Sequence, residues 1–212
     1  MSVVVPGLGA IVLCGGQSSR MGRPKAWLPF GEETLLQRVV RRVGEAASPV
    51  VVVASPDQAV PELPASVAVV RDAARGNGPL QGILAGLTAL SGRAEVAFVS
   101  STDAPFVCPE LVRRLEMLRF EGDHDAAVAR SAGRFHPLTA VYRISLRGLV
   151  EEMLARDVRR VASLLEDASS RFADEKDLLG DDALRRADPL LWSLRNLNTP
   201  EDYESALRDA GG

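Results

Sequence analysis

Three cations lie close together in a glycine-rich stretch near the start of the chain. Arg20, Arg23 and Lys25 follow a short apolar run, residues 10–13, that ends at Gly15 and Gly16. The run has the length and composition of a buried parallel strand. Glycines let a backbone approach a ligand and turn its N–H groups toward an anion, and the cations add charge to those dipoles. The stretch therefore predicts a polyphosphate site on a strand-to-loop turn.

The spacing of this loop differs from that of two common phosphate-binding loops. In a P-loop the lysine precedes Ser or Thr, whereas Lys25 precedes Ala26. Gly15, Gly16 and Gly22 do not fit the G-x-G-x-x-G spacing of dinucleotide-binding folds. The alternative interpretation is an ordinary turn whose basic residues are solvated.

Asp103 is the acidic residue best placed for phosphate chemistry. It follows a predicted strand, residues 95–101, and stands two positions before Pro105. A carboxylate at a strand end can hold a hard cation such as Mg²⁺, which bridges phosphates and neutralises charge at the α-phosphorus. The alternative is an Asp that only shapes the turn ahead of the proline.

Composition excludes several other classes of protein. The 212 residues suffice for one sizeable domain, and the net charge of −3 gives no overall field to attract nucleic acid. No apolar run approaches the roughly 20 residues of a membrane span, and no secretory signal is recognisable. Cys14 and Cys108 have neither metal-ligand nor disulfide-framework spacing. We therefore expect a cytoplasmic protein with no nucleic-acid and no membrane partner.

Strand and helix patterns alternate along the chain. Predicted strands cover residues 10–13, 50–54, 67–71, 95–101, 125–129 and 137–142, and residues 134–137 are expected to connect the last two. Predicted helices start at Leu35 and Pro79 and cover residues 109–119, 146–155 and 158–165; a last one starts after Thr199. Alternation predicts a three-layer, Rossmann-like α/β fold with a mostly parallel central sheet. Because ligands bind beyond the carboxyl ends of such strands, Gly15, Asp72 and Asp103 are expected to share one crevice.

The helix predicted after Thr34 has one apolar face and one polar face. Its apolar residues share one face, which predicts a buried side. Arg38, Arg41 and Arg42 fall on the other face, and the simplest expectation is that they are solvated.

The glycine-rich stretch resembles a family signature. Residues 13–25, L-C-G-G-Q-S-S-R-M-G-R-P-K, are similar to L-x-G-G-x-S-x-R-M-G-x-x-K of the nucleotidyltransferases that include molybdenum cofactor guanylyltransferase. Residues 99–106 resemble that family's metal-binding strand end, and residues 78–82, G-P-L-Q-G, resemble its guanine-pocket segment. Three later segments, at residues 136–137, 159–161 and 196–200, resemble parts that face the pterin substrate.

The resemblance implies a nucleotidyltransferase fold and assigns roles to residues. It implies one nucleotidyltransferase domain, residues 1–212, with a nucleotide-binding half at about 8–110 and an acceptor-binding half at about 120–212. The implied catalytic residues are Arg20, Lys25 and Asp103, with Asp103 also the metal ligand. The implied nucleotide-binding residues are Leu13, Cys14, Gly15, Gly16, Lys25, Asp72, Gly78, Pro79, Leu80 and Asp103. The implied acceptor-binding residues are His136, Arg159, Arg160, Asn196 and Asn198.

Each acceptor-binding residue also has a structural alternative. His136 could be a hydrogen-bonded histidine at a strand start, and Arg159 with Arg160 an exposed pair at a helix start. Asn196 and Asn198 alternate with Leu197, so on extended chain both amides share a face and Leu197 points to the core. The alternative is that both asparagines only shape the turn before the last helix.

The implied reaction joins GTP to molybdenum-bound molybdopterin, with Mg²⁺, or alternatively Mn²⁺, as the metal. Transient contact with molybdoenzymes or other cofactor-synthesis proteins would follow. Cys14 and Ser55 depart from the family, which usually has Ala at the first position and in some members Asn at the second. The rival functions are a cytidylyltransferase on the same pterin and a nucleotidyltransferase for sugar or polyol phosphates. A catalytically silent binding module is the rival from another class.

Overall fold

Seven strands form the central sheet of the computed structural model, which describes residues 4–15, 24–72 and 78–211. The strands of this sheet are β1 (Leu8–Leu13), β4 (Val50–Ala54), β5 (Ala68–Arg71), β6 (Val96–Ser101), β7 (Ala126–Ser131), β8 (Arg134–Arg143) and β9 (Ser170–Ala173). Their order is β5-β4-β1-β6-β8-β7-β9. Only β8 among them runs against the others, so the expectation of a mostly parallel sheet is confirmed. The short strands β2 (Pro29–Phe30) and β3 (Glu33–Thr34) form a separate hairpin.

Helices cover both faces of the sheet and complete three layers. They are α1 (Leu35–Gly44), α2 (Pro79–Leu90), α3 (Pro109–Glu121), α4 (Arg147–Ala155), α5 (Val161–Asp167), α6 (Glu175–Leu179), α7 (Asp182–Ala187) and α8 (Pro200–Gly211). Buried side chains of α1, α3, α6 and α7 form a core on one face, and those of α2, α4 and α5 form a core on the other. No helix within the described residues has both the length and the apolar character to cross a membrane.

Helix α2 lies unusually close to strand β1. A Cβ atom on Gly86 would come within 2.6 Å of the Ile11 side chain, and one on Gly82 within 3.0 Å of Leu13. At Gly86 a side chain would require Ile11 to shift, and at Gly82 it would press on the end of the Leu13 side chain. The contact brings the start of α2 to the carboxyl end of β1, where the loop predicted to bind phosphate begins.

The predicted elements in the first half of the chain are confirmed, whereas the β2–β3 hairpin was not predicted. Thr34 caps α1 in a capping box with Gln37, and the apolar face of this helix is buried. Strands β1, β4, β5 and β6 match their predicted positions to within two residues.

Two predictions for the second half are wrong, and three short elements there were not predicted. Residues 134–137 belong to β8, because Ala132 and Gly133, at φ 47° and 73°, make the turn from β7 in two residues. Helix α5 begins at Val161 rather than at residue 158, because Asp157 is left-handed and Arg160 is extended. The sequence also did not predict β9, α6 or α7, which are four to six residues long and lack a full period of apolar residues.

Candidate active site

A lysine and an aspartate form an ion pair at the carboxyl edge of the sheet. Lys25 Nζ lies 2.9 Å from Asp103 Oδ2, and each side chain is about one-fifth exposed. Asp103 follows β6, and Lys25 begins a short turn of 3₁₀ helix, Lys25–Trp27. The hydroxyl of Ser101 donates to the other carboxylate oxygen, Oδ1, at 2.5 Å. The structure thus brings together two of the three predicted catalytic residues; Arg20 lies outside the described residues.

The turn after Asp103 is held by helix α1. Arg38 Nε donates to the carbonyl oxygen of Pro105 at 3.1 Å, and Arg42 Nε donates to that of Val107 at 3.2 Å. The expectation that these two arginines are solvated is therefore wrong. Because backbone carbonyls in an irregular turn need partners, the two guanidinium groups fix the path of the chain beside the carboxylate.

The end of β1 presents backbone rather than side chains. Thr102 donates to the carbonyl oxygen of Leu13 through both its N–H, at 3.0 Å, and its hydroxyl, at 3.1 Å. The side chains of Leu13 and Cys14 are buried, and Gly15 is exposed. Burial raises the pKa of the Cys14 thiol, so this residue adds no negative charge beside a phosphate site. Gly16, the next predicted contact, lies outside the described residues.

The start of α2 lies next to the segment before α5. Gly78 has φ 77° and precedes Pro79; both residues are exposed, whereas the Leu80 side chain is fully buried. A Cβ on Gly78 would lie 3.5 Å from the carbonyl oxygen of Arg159. A segment predicted to bind nucleotide therefore approaches one predicted to bind the acceptor, which the sequence spacing did not reveal.

Asp72 follows β5, the strand beyond β4. Its N–H donates to the carbonyl oxygen of Ala54 at 2.9 Å, and its side chain is half-buried. It stands at the same edge of the sheet as Gly15 and Asp103, as the strand order predicts.

The segment before α8 reaches the predicted metal ligand through its backbone. The N–H of Leu197 donates to the carbonyl oxygen of Asp103 at 2.8 Å, and the Leu197 side chain is fully buried. Asn196 is half-buried and Asn198 is exposed. The expected burial of Leu197 is confirmed. The expectation that the Asn196 and Asn198 amides share one face and contact an acceptor stays a prediction.

The other predicted acceptor residues lie on the hairpin and the loop of the second half. His136 shares a 2.9 Å hydrogen bond with the Ser131 hydroxyl, and burial together with the Arg134 charge lowers the pKa of the imidazole. His136 is therefore neutral at pH 7 and suits hydrogen bonding rather than charge neutralisation. Arg159 is exposed and pairs with Asp157 at 2.7 Å, and Arg160 is exposed at the start of α5.

The donor set at Asp103 fits magnesium bound together with a nucleotide. Within the described ranges, no group of three or more His, Cys, Asp or Glu residues could hold a metal ion by itself. Mg²⁺ typically takes one or two protein carboxylates, substrate phosphates and water. The partly exposed Asp103 carboxylate is a donor of this kind, at the end of the sheet where the loop predicted to bind phosphate begins.

Sequence reasoning did not assign a positioning role to Ser101 or Thr102. Ser101 orients the Asp103 carboxylate, and Thr102 ties β6 to the end of β1. The sequence carried only a weak signal, because Ser101 ends β6 and Asp103 lies in the turn that follows, where strand alternation does not apply.

The chain is similar to known proteins over most of its length. Residues 10–175 match the family described as "MobA-like NTP transferase domain". A protein of Mycobacterium avium named "Probable molybdenum cofactor guanylyltransferase" is 36% identical over 167 residues, which cover 77% of this chain and 83% of that protein. Among solved structures, molybdopterin-guanine dinucleotide biosynthesis protein A of Archaeoglobus fulgidus superposes with a TM-score of 0.76 at 23% identity, covering 96% of this chain and 98% of that one. The 2-C-methyl-D-erythritol 4-phosphate cytidylyltransferase of Thermus thermophilus superposes with a TM-score of 0.65 at 17% identity, covering 96% of this chain and 98% of that one.

Proposed function

Since the chain belongs to the MobA-like NTP transferase family, we propose that it transfers GMP from GTP to molybdenum-bound molybdopterin. The products are the molybdopterin guanine dinucleotide cofactor and pyrophosphate. The observation that carries the proposal is the Lys25–Asp103 pair, joined through the Asp103 backbone to the Asn196–Asn198 segment. A single centre thereby holds groups suited to a triphosphate and groups suited to a second substrate.

The nucleotide binds across the ends of β1 and β6. The backbone around Leu13–Gly15 and at Gly78 and Pro79 reads the base, since the Leu13 and Cys14 side chains are buried and the two exposed glycines, Gly15 and Gly78, present only peptide groups. Guanine offers a carbonyl acceptor beside N–H donors, which suits backbone groups. The relative from Mycobacterium avium, whose name specifies a guanylyltransferase, supports GTP over CTP.

The chemical step needs no nucleophile from the protein. A terminal phosphate oxygen of the pterin attacks the α-phosphorus of GTP and forms a new P–O bond. The bond from the α-phosphorus to the oxygen that bridges to the β-phosphorus breaks, and its electron pair leaves with pyrophosphate. Lys25 and Arg20 neutralise charge on the triphosphate and on this leaving group, so catalysis is mainly positioning and electrostatics.

Asp103 would hold Mg²⁺, or alternatively Mn²⁺. When bound, the ion supplies further positive charge to the phosphates. Ser101 keeps the carboxylate oriented through its hydrogen bond to Oδ1. The ion pair keeps this carboxylate next to the Lys25 ammonium group, which binds the phosphates.

The second half of the chain takes the acceptor. Asn196, Asn198, His136, Arg159 and Arg160 offer amide, imidazole and guanidinium groups, which suit a pterin edge and its phosphate. This division assigns residues at about 8–110 to the nucleotide and at about 120–212 to the pterin within one domain. Contact with other cofactor-synthesis proteins or with molybdoenzymes would hand on the product.

Pyrophosphate release with a defined acceptor tests the proposal. Purified protein is incubated with Mg²⁺, GTP and either molybdenum-loaded molybdopterin or a polyol phosphate. We expect release only when GTP and the molybdopterin are both present. Equal release with the polyol phosphate would assign the chain to a different acceptor, and binding of both ligands without release would make it a silent binding module.

A further inference from the structure

Two polar side chains that precede the Asn196–Asn198 segment in the chain, Asp188 and Ser193, hold it in place. Asp188 ends α7 and is buried. Its carboxylate accepts the N–H of Trp192 at 2.7 Å through Oδ1 and the N–H of Ser193 at 2.8 Å through Oδ2. These bonds fix the start of a short 3₁₀ turn, Trp192–Leu194, which leads directly into the Asn196–Asn198 segment.

Ser193 connects this turn to the chain that follows Asp103. Its side chain is fully buried. The Ser193 hydroxyl donates to the carbonyl oxygen of Phe106 at 3.0 Å and accepts the N–H of Cys108 at 3.1 Å. One hydroxyl thus satisfies a donor and an acceptor of the backbone that would otherwise be buried without partners.

Aromatic contacts join the same two stretches, the 3₁₀ turn and the chain that follows Asp103. The Phe106 ring lies edge-on to Trp192 at 5.5 Å and to Phe30 at 5.8 Å, and the Arg195 guanidinium lies 5.6 Å from the Phe106 ring centre. The hydrogen bond between the Leu197 N–H and the Asp103 carbonyl oxygen also joins these two stretches. Two stretches far apart in sequence are therefore joined at several points, and the fully buried Ser193 hydroxyl makes two of these contacts.

We propose that Ser193 and Asp188 are positioning residues that hold the Asn196–Asn198 segment against Asp103 and thereby set the affinity for the acceptor. This inference rests on the proposed function, because it takes that segment as part of the acceptor site. Neither residue touches a substrate. Both act through the backbone, by fixing where the two asparagine amides stand relative to the carboxylate.

The variant Ser193→Ala removes both side-chain hydrogen bonds and keeps the backbone. We expect the KM for molybdenum-loaded molybdopterin to rise about tenfold, since a buried hydrogen-bonding group that loses its partner costs enough for such a change. The KM for GTP should change less than twofold. The fold change in kcat should be smaller than the fold change in the KM for the acceptor. Ser170→Ala is the matched control, because that buried hydroxyl has no partner among the described residues and lies on the edge strand β9.

Hydrogen exchange supplies a readout that is independent of activity. In Ser193→Ala, exchange of the Leu197 amide should accelerate about tenfold more than exchange of the Val12 amide in β1, because the segment opens locally. Equal acceleration at both amides would show general destabilisation and would overturn the proposal. If Ser193→Ala does not fold, Asp188→Asn, which keeps the size of the side chain but only one accepting oxygen, is expected to give the same pattern.

The two proposals fail in different ways. If the unaltered protein releases no pyrophosphate from GTP and molybdopterin, the proposed function is wrong, and hydrogen exchange still decides whether Ser193 holds the Leu197–Asp103 contact. If the unaltered protein is active but Ser193→Ala raises both KM values equally, or neither, the positioning role is wrong.

Discussion

The N–H of Leu197 donates a hydrogen bond to the carbonyl oxygen of Asp103 at 2.8 Å. Through this bond a residue near the end of the chain contacts the backbone of Asp103, the residue whose carboxylate is proposed to hold the metal. The buried Leu197 side chain fixes the contact from the core side. The bond joins the two proposed halves of the site at the place where the phosphates would react.

Asp103→Ala should lower turnover by about a hundredfold or more, as the loss of one preorganised electrostatic group typically does. Pyrophosphate release at saturating substrate measures the effect. The matched control is Glu151→Ala, which removes a carboxylate from an exposed ion pair with Arg147 on α4. A folded Asp103→Ala protein with near-normal turnover would show that the metal assignment is wrong.

Lys25→Ala should lower turnover to a similar degree and also weaken GTP binding, because the ammonium group neutralises triphosphate charge. Calorimetric titration with GTP separates binding from turnover. Lys176 is the only other lysine in the chain, and it lies exposed on α6, so Lys176→Ala is the control. GTP affinity that is unchanged in Lys25→Ala would contradict the assignment.

Gly86→Ala should destabilise the fold by roughly 1–3 kcal/mol, since the new Cβ would meet the Ile11 side chain at 2.6 Å in a close-packed core. Gly148→Ala, on α4 with nothing within 4 Å of its Cβ, should be neutral or stabilise the protein by up to about 1 kcal/mol. The midpoint of urea unfolding measures both changes in stability, provided that the m-value is the same in every variant. A Gly86→Ala protein as stable as the unaltered one, or more stable, would show that α2 does not need its close approach to β1.

Alanine at Asn196 or Asn198 should weaken molybdopterin binding and leave GTP binding almost unchanged, because the two amides face the acceptor. Separate titrations of each ligand against each variant measure this. Loss of GTP affinity, or loss of folding without a selective acceptor defect, would mean that the asparagines only shape the turn before α8.

Local sequence signals predicted the sheet and the approximate site. The strand of β-branched residues at Val50–Ala54 and the Thr34 cap are local features, and the structure confirms both. The alternation around Leu197 likewise depends only on neighbouring residues. Parallel pairing, which the alternation of strands and helices predicts, then places Gly15, Asp72 and Asp103 at one edge of the sheet.

Tertiary contacts account for what the sequence did not predict. Arg38 and Arg42 occupy a polar helix face, and only the folded chain shows that this face meets the carbonyls of Pro105 and Val107. Strand β8 starts early because the non-glycine residue Ala132 adopts a left-handed conformation, which its residue type does not favour. The approach of Gly78 to Arg159 likewise depends on how α2 and α5 pack on the sheet.

Transfer of label from the α-phosphorus of GTP tests the central claim most directly. The protein is incubated with molybdenum-loaded molybdopterin, Mg²⁺ and α-labelled GTP, CTP or ATP, and the products are separated. We predict that label from GTP enters a molybdopterin dinucleotide and not pyrophosphate, with kcat/KM at least about a hundredfold above that for CTP or ATP, because a wrong base leaves buried polar groups unpaired. Equal transfer from CTP, or no labelled dinucleotide from GTP, would contradict the account.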